Sequence, residues 1–267
     1  MPDSFRSVVR HAALAACLFG LFTVSVAAQT PLVSPPTTPQ FMPRYDFHMS
    51  AAGLAVDDPR FTWDTHWGGD FDLVDYVRGR MIFLADYQAI LGSEFRAFDP
   101  NQGNYTLAAA GSWRAGQTEF VGVLHHVSRH LSDRPKRIAI AWNELDLRVL
   151  RQFATGDGTI DLRAEIGKVI ARAQVDYSWT GAVDVTVRQD MSRHVAAFGR
   201  AYGQLIGLIE DAGRERQKGG RLEGGIRLNG QGGALELFVG VERVIDAEPF
   251  DREPRNWAFA GFRIVTK

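Results

Sequence analysis

The chain has 267 residues, a formal net charge of -1 from 30 basic and 31 acidic side chains, and a single cysteine, Cys17. Interspersed charges that nearly cancel exclude a nucleic-acid-binding surface, and a lone cysteine inside a segment expected to be removed excludes disulfides and thiolate metal sites from the mature protein. With 45% hydrophobic residues but no long apolar run beyond residue 28, a helical membrane bundle is excluded, whereas a β-barrel, whose strands are only half apolar, is not.

Residues 1–28 read as an export signal: Arg6, Arg10 and His11, an apolar run from Ala12 to Val26, and the small-residue cleavage site Val26-Ala27-Ala28. Leu14-Ala15-Ala16-Cys17 resembles a lipoprotein box, but it sits at the start of the apolar run, so the mature chain is expected to begin at Gln29. Residues 29–44 form a Pro/Thr-rich leader that reads as an extended periplasmic tail, because proline cannot donate to a central sheet ladder.

From residue 45 to 267 the chain is a succession of segments with period-two alternation. Tyr45, Phe47, Met49 and Ala51 share one face; Met81, Phe83, Ala85 and Tyr87 another; Tyr105, Leu107, Ala109 and Trp113 a third. After the middle of the chain, Ile160 to Ile166, Val175 to Trp179, residues 195 to 209, Leu222 to Leu228, Leu235 to Val241 and Trp257 to Val265 continue the pattern. Asp, Glu, Arg and Gln recur on the opposite face. Two places are irregular: Phe61 to Tyr76, broken by Gly68-Gly69, and residues 168 to 190, where no marked turn occurs near Arg172. The count is therefore about twelve strands, with ten as the alternative.

Connections after odd strands are long and charged (92 to 103, 129 to 137, 210 to 219, 244 to 256), and those after even strands are short, such as Ala115-Gly116. The Asp99-Pro100-Asn101-Gln102-Gly103-Asn104 stretch has the composition of a calcium loop but lacks its acidic spacing, and reads as a turn. A secreted β-sandwich or lipocalin-like barrel also alternates. Strand number, strand length, aromatics near segment ends and loop asymmetry instead favour an all-β, antiparallel transmembrane barrel in the bacterial outer membrane. The last strand runs past Phe262 to Lys267, where such barrels usually finish on an aromatic residue.

The stretch Glu119 to Leu150 reads as one hairpin around the turn residues Asp133-Arg134-Pro135-Lys136. Centring the turn between Arg134 and Pro135 sets Phe120 opposite Val149, Gly122 opposite Leu147, Leu124 opposite Leu145 and His126 opposite Asn143. The other face pairs Val121 with Arg148, Val123 with Asp146 and His125 with Glu144, a polar interior pair. His126 and Ser128, two apart, emerge on one face with Cα atoms about 6.5 Å apart, and Asn143 lies across from His126 at about 5 Å between Cβ atoms. A serine hydroxyl needs a base to accept its proton, and the base needs a third group to fix its tautomer. Ser128, His126 and Asn143 can fill those roles, with main-chain N–H groups after Ser128 as an oxyanion site. The bland alternative makes His126 and Ser128 interfacial residues facing lipid headgroups or Arg129.

His126-x-Ser128, followed by Ser132-Asp133 and then Trp142-Asn143, resembles the active-site segment of the bacterial outer-membrane phospholipase A family. That resemblance implies a twelve-stranded barrel that hydrolyses lipid acyl esters at its lipid-facing wall and is activated by calcium as a homodimer. It further implies Ser128 as nucleophile, His126 as base, Asn143 as orienter and Asp133 as a calcium contact. Where the family has Asn-Gly after the serine, this chain has Arg129-His130, and its spacing to Asn143 is longer. The segment His126-x-Ser128-x-His130-Leu131-x-Asp133 is also similar to uncharacterised outer-membrane barrel families. Arg129, His130, Arg134, Lys136 and Arg137 make a basic tip, read either as a solvated loop or as attraction to lipopolysaccharide phosphates. Two functions stay open: a lipid acyl-ester hydrolase, or a non-catalytic structural barrel or narrow channel.

Overall fold

The computed structural model describes residues 36–131 and 139–266. The export signal, the start of the leader, and the hairpin turn with Asp133, Arg134, Lys136 and Arg137 lie outside the described residues. Twelve strands follow one another: β1 (Gln40–Ala55), β2 (Trp63–Asp75), β3 (Arg80–Gly92), β4 (Asp99–Ala115), β5 (Thr118–Leu131), β6 (Ile140–Ala154), β7 (Gly158–Ala173), β8 (Tyr177–Asp190), β9 (Val195–Leu208), β10 (Gln217–Asn229), β11 (Gly233–Val244) and β12 (Arg255–Thr266). Each pairs antiparallel with its neighbours, and β1 closes the cylinder on β12 through pairs such as Ala51 with Phe262. Closure leaves no sheet edge unpaired, which is what lets a sheet cross hydrocarbon.

β1 starts at Gln40, inside the stretch read as leader, and its register with β2 shifts between Phe41 and Arg44, around Pro43. β2 is a regular strand with one irregularity, between Asp72 and Val74. Gly68 and Gly69 are paired with Asp86 and Ala85 and do not break it. The turn sought near Arg172 falls at residues 174–176, with Gln174 in a left-handed conformation (φ 58°). No Gly or Asn marks it, and the long alternating run therefore concealed it. The Asp99 to Asn104 stretch is not a turn; it forms the first residues of β4, bulged between its pairings with Ile90 and Leu91.

The alternation resolves into an apolar exterior and a charged interior. Leu124 and Leu145 are 51% and 57% exposed, whereas Val121 and Val123, on the alternate positions of β5, are 0% and 1% exposed. Inside, Arg80 bridges Asp72 and Glu119 at 3.0 and 2.9 Å, Arg148 and Arg163 each reach Glu165 at 2.7 Å, and Arg200 holds Asp184 at 2.5 Å. Side chains that would be solvent-facing in a soluble sheet thus satisfy one another within the cylinder, and the apolar exterior places the chain in a membrane. On the outer row of β5, Leu124 is midway between Phe120, stacked on Trp113 at 6.1 Å, and Ser128, beside Tyr105. Leu145→Arg, at the same depth, is expected to cost about 2–4 kcal/mol in urea unfolding from lipid vesicles, because it puts a cation at mid-bilayer. A cost below about 1 kcal/mol would mean that this face does not meet lipid.

The start of β1, the end of β12 and the short turns 76–79, 116–117, 155–157, 191–194 and 230–232 share one end, and the longer connections 56–62, 93–98, 209–216 and 245–254 share the other. At that long-loop end the 245–254 segment folds inward, burying Ile245, Asp246, Ala247 and Glu248. Arg129 Nη1 donates to the Asp246 carbonyl at 2.7 Å, so Arg129 belongs to this inner closure and not to a basic tip. Arg214 ties two loops together, donating to both oxygens of Asp176 and of Asp246 at 2.7–2.8 Å. Burial pushes the Asp176 carboxyl up, but the hydrogen bonds and charge of Arg214 outweigh it and hold the group below the usual carboxylate range. A depressed folded-state value adds stability above the unfolded-state value near 4, and that stability is lost as pH falls through the lower folded-state value. Amide exchange in residues 209–216 and 245–254, corrected for intrinsic rates, should therefore accelerate as the pH is lowered below about 4. Unchanged protection down to pH 2 would contradict this.

Candidate active site

The hairpin of β5 and β6 has the register set by its alternation: Phe120 pairs with Val149, Leu124 with Leu145 and His126 with Asn143. The bare consequence is that His126 and Asn143 share the outer wall, while their neighbours His125 and Glu144 face the lumen. The pairing produces a contact, as His126 Nδ1 and Asn143 Oδ1 are 2.7 Å apart. Since an amide oxygen only accepts, Nδ1 carries the proton and the Nε2 lone pair is left free. A bulge between β6 and β7 falls between Asn143 and Glu144, a device that re-aims a side chain at a strand's end.

Ser128 is on the same outer row, paired with Ala141 of β6 and Tyr105 of β4. No hydrogen bond joins Ser128 to His126 among the described residues. The N–H groups of Arg129 and His130, considered as an oxyanion site, lie in a strand still paired with β4 through Leu131. Asp133 lies outside the described residues. The described group of three His/Asp/Glu side chains that lie close together, His125, Glu144 and Asp146, is inside the barrel and not beside Ser128.

Two residues that the sequence did not assign to the site adjoin it. Tyr105 is the direct neighbour of Ser128, and His130 packs edge-on against the Tyr105 ring at 5.4 Å. The tight Gly116-Gln117 turn, with Gly116 at φ 60°, fixes the β4–β5 register and carried that information, had the pairing been followed to β4 as well as to β6. Tyr105 continues a row of rings with Tyr87 (4.7 Å) and Trp67 (4.6 Å) around the wall of β2, β3 and β4. Amphipathic aromatics in a row mark the membrane–water interface. Four residues from Leu124, Ser128 is about 13 Å along the strand and about 10 Å shallower than mid-bilayer, at roughly 40° tilt. On the long-loop side, that depth is the headgroup border of one leaflet.

No protein-family model and no curated protein matches the chain. Among solved structures, the outer membrane phospholipase A from Escherichia coli superposes with a TM-score of 0.51 at 9% identity, over 84% of this chain and 92% of that one. The outer membrane phospholipase of Salmonella typhi, a dimer with bound calcium, gives a TM-score of 0.51 at 9% identity, over 84% of this chain and 90% of that one. The outer-membrane OmpT of Vibrio cholerae gives 0.44 at 10% identity, over 84% and 96%. Together with the apolar exterior, the likeness of fold to the two phospholipase structures makes the chain an outer-membrane β-barrel of the architecture seen in outer-membrane phospholipases.

Proposed function

We propose that the barrel hydrolyses acyl esters of membrane lipids at its outer wall, with Ser128 as nucleophile, His126 as base and Asn143 as orienter. The observation that carries this reading is the 2.7 Å contact between His126 Nδ1 and Asn143 Oδ1 on a lipid-facing surface, at the level of an aromatic row. Asn143 keeps the imidazole in the tautomer whose Nε2 can take the Ser128 proton. Ser128 Oγ then attacks the ester carbonyl, the imidazolium returns its proton to the departing alcohol, and water repeats the sequence on the acyl-enzyme. Substrate reaches the site from the bilayer along Leu124, Leu145 and Leu147, and an ester carbonyl resides near the depth of Ser128. The Ser–His contact is one that tightens only when substrate excludes water.

Binding of lipopolysaccharide, assembly as a homodimer and a calcium contact at Asp133 belong to the same proposal, but no step above requires them. A fluorophosphonate probe tests it directly: in mixed micelles it should label the barrel covalently, with the adduct on the peptide containing Ser128. An unlabelled barrel, or label elsewhere, would remove the proposal.

A second reading, a non-catalytic structural barrel, is favoured by the missing hydrogen bond between Ser128 and His126. The ion pairs filling the lumen and the inward 245–254 segment favour this closed form of barrel over a channel.

A further inference from the structure

The outer rows of the barrel carry charge of one sign only. None of the described strands places a carboxylate there, whereas Lys168 stands between Ile166 and Ile170 on β7, Lys218 heads the row of Leu222 on β10, and Arg243 ends the row of Val239 and Val241 on β11. We propose that Lys168, Arg216 and Lys218, grouped around Trp179, bind the phosphates of lipopolysaccharide in the outer leaflet. This surface lies on β7 to β10, away from the turn of the β5–β6 hairpin, and it stands whether or not the outer wall is catalytic.

Depth is the first support. The row of paired residues that starts at mid-bilayer with Leu124 passes through Leu145, Lys168 and Trp179 to Gly207, and ends beside Arg216 in the 209–216 connection. It therefore climbs toward the long-loop end, by about 3 Å per strand at roughly 40° tilt. Trp179 is then about 9 Å above Leu124, level with Ser128 and the headgroup border. Long loops face the outside in such barrels, so the leaflet met here is the outer one, whose phosphate belongs to lipopolysaccharide.

The local structure builds a shelf at that level. Gly207 leaves room for the Trp179 indole to lie across β9, since a Cβ there would run into the ring nitrogen. The Arg216 guanidinium lies over the indole, 5.3 Å from its centroid. Lys168 pairs with Trp179 from the other side, three strand spacings or about 14 Å from β10, so long side chains reach groups above the ring from both flanks.

The second support is missing counter-charge. Among the described residues the side chains of Lys168, Arg216 and Lys218 have neither an ion pair nor a hydrogen bond, and the indole N–H has no acceptor. Arg172 and Arg243 differ, because they donate to the Tyr177 carbonyl at 3.4 Å and the Lys218 carbonyl at 3.2 Å. Cations at a membrane border draw in anionic headgroups, and a guanidinium fork matches phosphate oxygens.

The competing account is snorkelling, in which each cation only reaches water and shows no selectivity for phosphate. To separate the two, full-length barrel refolded in non-ionic detergent micelles is titrated with deep-rough lipopolysaccharide, and bound lipid is counted by native mass spectrometry. Wild type should bind saturably. Lys168→Gln/Arg216→Gln/Lys218→Gln should weaken binding by at least about tenfold, while Arg151→Gln, on the outer wall beside the 116–117 turn, should stay within about twofold of wild type. Dephosphorylated lipopolysaccharide should lose a similar factor on the wild-type barrel, an arm that needs no variant to fold. Phosphatidylglycerol, with a single phosphodiester charge, should bind at least about tenfold more weakly than lipopolysaccharide. No binding by wild type, or undiminished affinity for the triple variant, the dephosphorylated lipid or phosphatidylglycerol, would each overturn the proposal.

Discussion

Ser128→Ala should abolish acyl-ester hydrolysis by the purified barrel, lowering kcat by at least about 10^3-fold on a chromogenic acyl ester in mixed micelles. The side chain lies on the outer wall and makes no hydrogen bond among the described residues, so its removal should leave the unfolding midpoint within measurement error. His126→Ala should lose a similar factor, since nucleophile and base act as a unit and their losses do not add. Asn143→Ala should cost less, about 10- to 100-fold. A neutral amide fixes the tautomer through its 2.7 Å contact but stabilises the imidazolium less than a carboxylate would. A wild-type rate equal to that of Ser128→Ala, or no turnover by either, would leave the structural barrel as the function of this chain.

Arg80→Met should be the most destabilising single change in the lumen, costing about 3–5 kcal/mol. Arg80 is 2% exposed and neutralises two carboxylates at once: Nη1 meets Asp72, while Nε and Nη2 meet the two oxygens of Glu119. Methionine keeps much of the volume but takes the bidentate partner from Glu119 and the cation from Asp72; Arg114 Nε, 4.0 Å from Glu119, and Ser112, which donates to it at 2.5 Å, replace only part of what is lost. The measurement is urea unfolding in lipid vesicles, with Arg80→Met/Glu119→Gln as the second arm of a cycle. Removing one of the stranded charges should recover part of the loss. A single-variant cost below about 1 kcal/mol would show that water reaches this network and screens it.

Much of the site is legible in the sequence because a hairpin's register follows from where its turn is centred, and period-two alternation then fixes every facing pair. His126 opposite Asn143 and His125 opposite Glu144 both follow from that single choice. What escaped has a common origin. Tyr105 and His130 meet across a second pairing, Arg129 turns inward to a loop more than a hundred residues away, and the β7–β8 turn is made by Gln174 in a conformation that its side chain does not advertise. The Asp99 to Asn104 stretch looked like a turn because Pro, Asn and Gly dominate it. In the fold those residues are held by partners on β3 and β5, so tertiary pairing overrode local preference.

By itself, then, the sequence determined the architecture: strands of alternating character in this number can satisfy their backbones and their charges together only by closing into a cylinder with its apolar side chains outward. Only the tertiary structure decided what the polar residues do once inside or outside that cylinder. It chose which nitrogen of His126 is engaged, which acids share Arg80, and where Ser128 stands relative to a row of aromatic rings. The reason is physical: alternation specifies which face a side chain takes, whereas rotamer, partner and depth depend on strands distant in the chain that only closure brings alongside.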